Sequence, residues 1–538
     1  MQTLHSPTQA AQWLRQHVTG VLCTDSRAVQ KGDAFIAWPG AATDGRAYVA
    51  SAFAQGAQVC LVEAEACQQW LEAWQPAADR VENHVAAYAG LKADTGWIAD
   101  AYYEQPSHEL QVLAVTGTNG KTSSTWWLAQ AINALSSKSG AATAGRCAIV
   151  GTLGVGEPPT LMHTGMTTPD PVLLQAQFRK FVSAGITHCA IEASSIGIAE
   201  QRLAGTRIQL ALLTNFTQDH LDYHGSMAAY WQAKETLFAW PELEVAVINV
   251  DDVQGAKLAS DLSQARIASS QGSPIELWTC SSQGRQARLQ ALNVKRTLSG
   301  LSFDVLEGSH SVHLQTSLMG DYNVDNVLGV MAALRALNYN LSDIAEVCSQ
   351  LKAVPGRMEK VQGPNVVDGG DGIAGIAGIQ LPLTVVDYAH TPDAVTQTLL
   401  ALKPMADALG SQLWCVLGCG GDRDASKRSL MAAAAESVAH QLVLTSDNPR
   451  SESPAQILRD MQQGLKAPEK AHQELDRAKA IFQTVMQAGQ RDVILIAGKG
   501  HEDTQEIAGV KYPFDDRVHA HHALVQRAHA IQSTGAQV

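Results

Sequence analysis

The chain has 538 residues, room for three or four domains at ~150 residues each. Its 46% hydrophobic and 17% charged content marks a folded chain rather than a disordered one. With 39 Lys and Arg against 52 Asp and Glu, the net charge is −13. That argues against a nucleic-acid binder but leaves room for a local basic pocket around a phosphorylated small molecule. No apolar run approaches the ~18 residues of a membrane span. The start, Met1-Gln2-Thr3-Leu4-His5-Ser6, lacks the basic cap and apolar core of a secretory signal. Nine scattered cysteines without a CxxC pair read as reduced, mostly buried thiols of a cytoplasmic protein, not as a zinc site.

Three blocks separate along the chain. Residues 1–108 carry short strand-like runs between turns, such as Ala34-Phe35-Ile36-Ala37 and Val59-Cys60-Leu61-Val62, and end at a linker, Gln105-Pro106-Ser107-His108. Residues 109–354 alternate apolar strands (112–115, 188–191, 210–213, 245–248) with helical patterns. This is the rhythm of a doubly wound parallel sheet. Val354-Pro355-Gly356-Arg357 is a second break, and the rhythm returns over 355–538 with strands at 384–386, 413–417, 442–444 and 493–496. The fold class expected is α/β in three domains. The Gly-rich stretch 362–382 reads as a hairpin or surface loop and receives no function.

The first legible chemistry follows the strand Val112-Leu113-Ala114-Val115. Thr116-Gly117-Thr118-Asn119-Gly120-Lys121-Thr122-Ser123 leads directly into a helical run. Gly117 and Gly120 allow backbone N–H groups to turn around phosphate oxygens, and the helix N-terminus adds partial positive charge. Lys121 is placed to neutralise β/γ-phosphates and the Thr122 hydroxyl to ligate Mg²⁺. The glycine that the longer phosphate-loop pattern wants six residues before the lysine is Val115 here. The loop is the shorter G-T-N-G-K-T form.

This loop resembles that of the Mur ligases, the amide-forming enzymes of peptidoglycan precursor synthesis, and the resemblance covers nearly the whole chain. It is strongest to those members that add meso-diaminopimelate to a UDP-N-acetylmuramoyl dipeptide. It implies a small N-terminal UDP-sugar-binding domain (1–108), a central P-loop ATPase domain (109–354) and a C-terminal, Rossmann-like, amino-acid-binding domain (355–538). It also implies ATP as co-substrate, two Mg²⁺, a UDP-N-acetylmuramoyl dipeptide and meso-diaminopimelate as partners, and a monomer.

The resemblance assigns residues as well. Glu192, at the end of the 188–191 strand, and His220, in Asp219-His220-Leu221-Asp222-Tyr223-His224, match magnesium ligands. The carboxylate suits that ion better than the imidazole does. Lys234, in Tyr230-Trp231-Gln232-Ala233-Lys234, matches a carbamylated lysine. The modification makes chemical sense, because an ammonium repels Mg²⁺ whereas a carbamate offers it an oxygen. Asn323, Arg357 and Asp387 match residues at the nucleotide, and their spread along the sequence suggests closure over ATP. Thr24, Ser26 and the loop Ala41-Ala42-Thr43 match UDP-sugar contacts. Thr167, Thr168, Ser194, Glu200 and Arg202 extend that site, with Arg202 suited to a bidentate grip on a carboxylate.

Two departures stand out. Ile196 follows the paired serines where the family usually has His, and Glu200 replaces a frequent Gln, setting an acid where an acidic substrate binds. The amino-acid pocket is implied by Asp447-Asn448-Pro449-Arg450, with Arg423, Gly498 and Glu502. Diaminopimelate differs from lysine by a distal carboxylate that Arg450 can fork onto. The rivals are a lysine-adding ligase, a folylpolyglutamate synthase-like ligase and a non-catalytic nucleotide switch. The first two lack Asn448-Pro449-Arg450 or Asp25-Ser26-Arg27, and the last has no need of Lys121, Glu192, His220 and Lys234 together.

Overall fold

The computed structural model describes residues 1–40, 43–74, 84–139, 145–268, 275–297, 300–364 and 380–533. It divides into two compact units, residues 1–290 with 327–347, and residues 291–326 with 348–538.

In the first unit, short Val-, Ile- and Ala-rich runs form parallel strands buried on both faces, as β-branched residues between two helical layers should. Strands β1 (Gln2–Leu4), β2 (Leu22–Cys23), β3 (Ala34–Ala37), β4 (Val59–Glu63) and β5 (Val85–Tyr88) make a parallel sheet in the order β1-β5-β4-β3-β2. One face packs Leu4, Ile36 and Leu61 with Trp13, Leu14 and Ile98 from the helices Pro7–His17 and Leu91–Tyr102. The other packs Phe35, Cys60 and Val62 with Phe53 and Trp74. Pro7 starts its helix where a missing N–H costs nothing, and the Ser6 hydroxyl accepts from Gln9 N at 3.2 Å.

The same unit holds a second sheet. Its strands are β6 (Gln111–Thr116), β7 (Cys147–Gly151), β8 (Gly154–Glu157), β9 (Thr160–Met162), β10 (His188–Glu192), β11 (Leu210–Leu213), β12 (Val245–Asn249) and β13 (Glu276–Ser281). The order is β13-β12-β11-β6-β10-β7-β8-β9. All neighbours are parallel except along the β7-β8-β9 meander. The first residues of β14 (Leu289–Thr297), Leu289 and Gln290, pair in parallel with the end of β13. The chain leaves β6 between β10 on one side and β11 on the other, the kind of switch point where open α/β sheets bind ligands at the carboxyl ends of their strands.

In the second unit, β15 (Gly300–Glu307) and β16 (His310–Thr316) form a hairpin; the helix expected after Asp321, Tyr322–Ala336, begins in this unit and from residue 327 belongs to the first. A third sheet follows, of β17 (Glu359–Val361), β18 (Leu383–Asp387), β19 (Leu413–Cys419), β20 (Gln441–Ser446), β21 (His472–Gln473) and β22 (Val493–Ala497). Its order is β17-β18-β22-β19-β20-β21, parallel but for β17. A last hairpin, β23 (Thr504–Ile507) and β24 (Val510–Pro513), lies outside that sheet. The α/β alternation read from sequence is therefore realised in three sheets. The Gly-rich stretch 362–382 falls mostly on residues 365–379, outside those described. All nine cysteines are free thiols and all but Cys23 are buried. No helix among the described residues is long and apolar enough to cross a membrane.

Candidate functional site

The phosphate loop takes the form its glycines require. Gly117 has φ +143°, and a Cβ there would lie 1.9 Å from Thr214 Oγ1, so only glycine fits. Lys121 opens the helix Lys121–Ser139, and its Nζ donates to the carbonyls of Gly117 and Thr118, both at 2.9 Å. Asn119 N donates to Asn215 Oδ1 at 2.9 Å, and the Thr118 hydroxyl donates to Thr217 O at 3.0 Å. Gly120 has φ +86° and Ser123 is buried at the start of the helix.

Thr122 Oγ1 donates to Glu192 Oε2 at 3.0 Å, joining the loop to the end of β10. Glu192 is 1% exposed and also accepts from Thr152 N at 2.8 Å. Lys234, on the helix Met227–Glu235, is likewise 1% exposed. Its Nζ donates to Gly117 O at 2.7 Å and lies 4.6 Å over the Tyr230 ring. Burial, with the Lys121 charge added, holds this ammonium well below the usual lysine range. His220 has φ +52° and stands 3.5 Å from the Asp219 carboxylate. Burial lowers its pKa, Asp219 opposes, and the charges of Lys121 and Lys234 lower it further. The structure thus gathers Lys121, Thr122, Glu192, His220 and Lys234 around one loop.

No three His, Cys, Asp or Glu side chains converge on a metal position among the described residues. The donor set still fits Mg²⁺, which commonly takes one or two carboxylates and completes its shell with water and substrate phosphate. Glu192 and the Thr122 hydroxyl are the oxygens present, and Lys234 fits only as an oxygen donor.

A hydroxyl chain leads away from Glu192. Thr152 Oγ1 pairs with Thr167 Oγ1 at 3.0 Å. Thr168 Oγ1 donates to Glu192 O at 2.6 Å and pairs with Ser194 Oγ at 3.0 Å. Arg202 Nη1 donates to Thr168 O at 3.0 Å. Asp170 caps the helix Pro171–Ser183 through Val172 N and Leu173 N, both at 3.1 Å. Burial raises the Asp170 carboxyl, moderated by those caps, by a hydrogen bond from Thr24 and by the Arg202 charge. So Thr24 of the first sheet's loops and Arg202 meet at one acid. Ser26 is buried in the turn that Asp25 caps, and Thr43 is exposed, its carbonyl accepting from Gly40 N at 2.9 Å. Ala41 and Ala42 lie outside the described residues.

Both departures have local answers. Glu200 is paired with Lys92 Nζ at 2.7 Å and accepts from Tyr223 Oη. At the other, His224 Nε2 lies 3.0 Å from Ser195 Oγ, bringing an imidazole beside the paired serines from another helix.

The second unit brings the remaining residues together in two clusters. Asp387 accepts from Met358 N at 2.7 Å and Ala389 N at 2.8 Å, and Arg357 stacks 4.3 Å over Tyr388. Burial raises the Asp387 carboxyl, and Arg357 is the largest influence against it. Asn323 Nδ2 donates to Met319 O at 2.7 Å.

The other cluster is the convergence of three loops at the ends of β19, β20 and β22. Arg450 Nη1 donates to Gly421 O at 2.6 Å. A Cβ on Gly420 would sit 3.0 Å from that nitrogen and 3.8 Å from Arg423 Cγ. Asn448, after the buried Asp447 and before the buried Pro449, donates from Nδ2 to Glu502 Oε2 at 2.7 Å. Gly498 has φ +116°, and a Cβ there would meet Asp447 Oδ2 at 2.6 Å.

Sequence reading passed over several residues that hold these groups. Lys499 is wholly buried in the pocket. Arg477, also wholly buried, donates to Ser446 O and Ala497 O, the last carbonyls of β20 and β22, and pairs with the buried Asp516 at 2.6 Å. Thr152 and Asp170 are the others. The available signals were faint: a lysine between two glycines at a strand end, and acids at helix starts that also read as caps.

Three α/β domains with a phosphate loop at a switch point, a buried carboxylate on its threonine and a buried lysine on its backbone define an ATP-dependent α/β ligase. The Mur ligase middle domain matches residues 115–334, the Mur ligase glutamate ligase domain 376–500 and the Mur ligase family catalytic domain 17–94. The chain belongs to the Mur ligase family. It is 54% identical over 530 residues to an Acidovorax protein named UDP-N-acetylmuramoyl-L-alanyl-D-glutamate–2,6-diaminopimelate ligase, covering 98% of this chain and 99% of that one. A Pseudomonas aeruginosa protein of the same name is 41% identical over 94% of each. A solved structure described by that name aligns with TM-score 0.62 at 33% identity, over 96% of this chain and 95% of that one. A Thermotoga maritima MurF ligase solved with ADP shares the fold, with TM-score 0.60 at 15% identity over 96% of this chain and 99% of that one.

Proposed function

We propose that the chain joins meso-diaminopimelate to the D-glutamyl carboxylate of UDP-N-acetylmuramoyl-L-alanyl-D-glutamate at the expense of ATP. The functional divisions are residues 1–108 for the UDP-sugar, 109–354 for ATP and 355–538 for the amino acid. The observation that carries the reading is the second-unit pocket: the Arg450 guanidinium and the stem of Arg423 near one glycine, with the Glu502 carboxylate on the adjoining loop. That charge pattern complements an amino acid with a distal ammonium and a distal carboxylate.

The chemistry is acyl transfer through a mixed anhydride. A carboxylate oxygen attacks the γ-phosphorus, the bond to ADP breaks, and an acyl phosphate forms. The diaminopimelate amine attacks the acyl carbon, the C–N bond forms, inorganic phosphate leaves, and the nitrogen loses its proton. Lys121 neutralises charge on the moving phosphoryl group, and the loop N–H groups orient it. Asn323, Arg357 and Asp387 serve the nucleotide. Thr24, Ser26, Ala41, Ala42, Thr43, Thr167, Thr168, Ser194 and Arg202 serve the UDP-dipeptide, while Lys92 keeps Glu200 from opposing it. Asp447, Asn448, Pro449, Gly498 and Glu502 complete the amino-acid pocket.

Two Mg²⁺, when bound, would lower the charge of the phosphates. Thr122, Glu192, His220 and Lys234, as its carbamate, would hold them. Lys234 suits that modification because its depressed pKa supplies the neutral amine that CO₂ requires. A monomer in the cytoplasm, where ATP and reduced thiols belong, is part of the proposal, and sedimentation at working concentration checks the monomer.

Phosphate release tests the reaction. With ATP and the UDP-dipeptide, release should require meso-diaminopimelate and be poor with L-lysine or glutamate. Equal release with lysine would overturn the substrate, and release without any amine acceptor would overturn ligation.

A further inference from the structure

Lys499 holds the pocket from beneath. Its ammonium is wholly buried, a position that demands compensation by fixed acceptors. Nζ donates to Thr504 O at 2.7 Å, Glu502 Oε2 at 2.9 Å and Asn448 Oδ1 at 3.1 Å, with Asp447 Oδ1 at 3.8 Å.

Three consequences follow from the donor inventory. An ammonium only donates, so it fixes which end of the Asn448 amide faces it. Glu506 N, donating to the same Oδ1 at 2.9 Å, fixes it again. The Asn448 Nδ2 is thereby turned onto Glu502 Oε2. Glu502 Oε2 then carries two donors, while Oε1 has no hydrogen-bond partner among the described residues. Finally, Thr504 O belongs to the hairpin that holds Arg450. Arg450 N donates to Glu506 O at 3.0 Å, and Ala508 N donates to Arg450 O at 2.7 Å. One buried cation thus ties down the acceptor for an ammonium and the strand beside the donor for a carboxylate.

The geometry points to Lys499 as a specificity-determining positioning residue, which fixes Glu502 and Asn448 so that the pocket selects an amino acid bearing both a distal ammonium and a distal carboxylate. Lys499 acts through these neighbours and touches no reacting atom. The inference rests on the diaminopimelate reading above.

The test is steady-state phosphate release by the full chain, comparing wild type with Lys499→Met and Lys499→Gln. For Lys499→Met, kcat/KM for meso-diaminopimelate should fall about 30- to 300-fold, mostly through KM. KM for ATP and for the UDP-dipeptide should stay within about twofold. The meso-diaminopimelate to lysine preference should shrink at least about tenfold. Lys499→Gln, which keeps a donor toward Glu502, should lose less.

Should Lys499→Met not fold, Glu502→Gln and Glu502→Gln/Lys499→Met carry the test, because neither leaves the partly exposed Glu502 carboxylate without its cation. Adding the lysine change to Glu502→Gln should cost no more than about tenfold, because only its holds on Asn448 and Thr504 remain to be lost. A folded Lys499→Met with wild-type preference, or a further loss above about 30-fold in the double variant, overturns the inference while the diaminopimelate reading stands. A wild-type chain that does not use meso-diaminopimelate overturns the reading itself.

Discussion

The phosphate loop and the amino-acid pocket treat charge in opposite ways. At the loop, Lys121 and Lys234 both donate to the Gly117 carbonyl, and each cation works against the protonation of His220. In the pocket, Lys499 and Arg450 are set against Glu502, Asp447 and Glu506. The Lys121 cation on a glycine-rich turn, with Lys234 held toward its neutral amine beside it, suits a polyanion. A balanced set suits a zwitterion, whose two charges replace contacts of both signs. One site is therefore sensitive to how much charge it holds, and the other to where each charge sits.

Removing charge at the loop should have the largest effect. Lys121→Ala deletes the cation proposed to neutralise the transferring phosphoryl group, and kcat for phosphate release should fall on the order of 10³-fold or more. Circular dichroism and thermal melting should show the fold intact. Near-wild-type turnover by a folded variant would refute the loop's half of the comparison.

Displacing a charge in the pocket should be selective instead. Losing a charge-assisted bond to a buried carboxylate costs ~2–5 kcal/mol. Arg450→Ala should then lower kcat/KM for meso-diaminopimelate roughly 30- to 3000-fold, at ~1.4 kcal/mol per decade. Lysine has no distal carboxylate, so its poor use should barely change. Arg450→Lys should restore little, since an ammonium lacks the planar fork. Equal losses for both amino acids would mean that Arg450 supports its loop without reading the ligand.

These two regions also differ in how openly the sequence declares them. The phosphate loop is eight consecutive residues, strand before and helix after, and local turn chemistry makes it legible. The strands were legible for a similar reason, since buried parallel strands are short unbroken apolar runs. The pocket is assembled from loops at 418–424, 447–452 and 498–503, and its proposed readers, Arg450 and Glu502, were reached only through family resemblance. Its supports were not reached at all. Lys499 sits in Gly498-Lys499-Gly500, where the glycines draw attention to the backbone. Arg477 and Asp516 open separate helices, and the packing of those two helices against each other brings them together. Glu200 read as a misplaced acid because its partner, Lys92, lies in another block of sequence.

Lys234 gives a pH-dependent test of the loop. Its ammonium titrates well below the unfolded lysine value because of burial and then Lys121. Between those two values the unfolded chain binds more protons, so stability in CO₂-free buffer should rise with pH across that window. Lys234→Met should flatten the rise, measured as the denaturation midpoint against pH. The same variant should lose on the order of 10²-fold in activity, as for removal of a group that orients a metal site. Lys234→Ala, which leaves space, should be partly restored by small added carboxylates. Full activity alongside an unmodified Lys234 in a native mass spectrum would remove the carbamate from the scheme.

The smallest effect belongs to Glu200, and its smallness is informative. An acid beside the Arg202 cation looks opposed to an acidic substrate. Yet Lys92 and Tyr223 both donate to it, and these bonds hold its pKa below the usual carboxylate value. Its charge is thus paired before any substrate arrives. The pair is partly solvent-exposed and screened, so it is worth at most ~1 kcal/mol. Its stabilisation is present above the unfolded carboxylate pKa and is lost as pH falls through the lowered folded value. Glu200→Gln should therefore change KM for the UDP-dipeptide by no more than about fivefold and leave kcat unchanged, a shift of under ~1 kcal/mol. Lys92→Ala should do more, because it leaves the carboxylate beside Arg202 without its cation. In the Glu200→Gln background the same lysine change should be nearly silent. If Lys92→Ala raises KM equally in both backgrounds, Lys92 meets the substrate directly, and the loop side of the molecule holds one more cation for a polyanion than Lys121 and Arg202 provide.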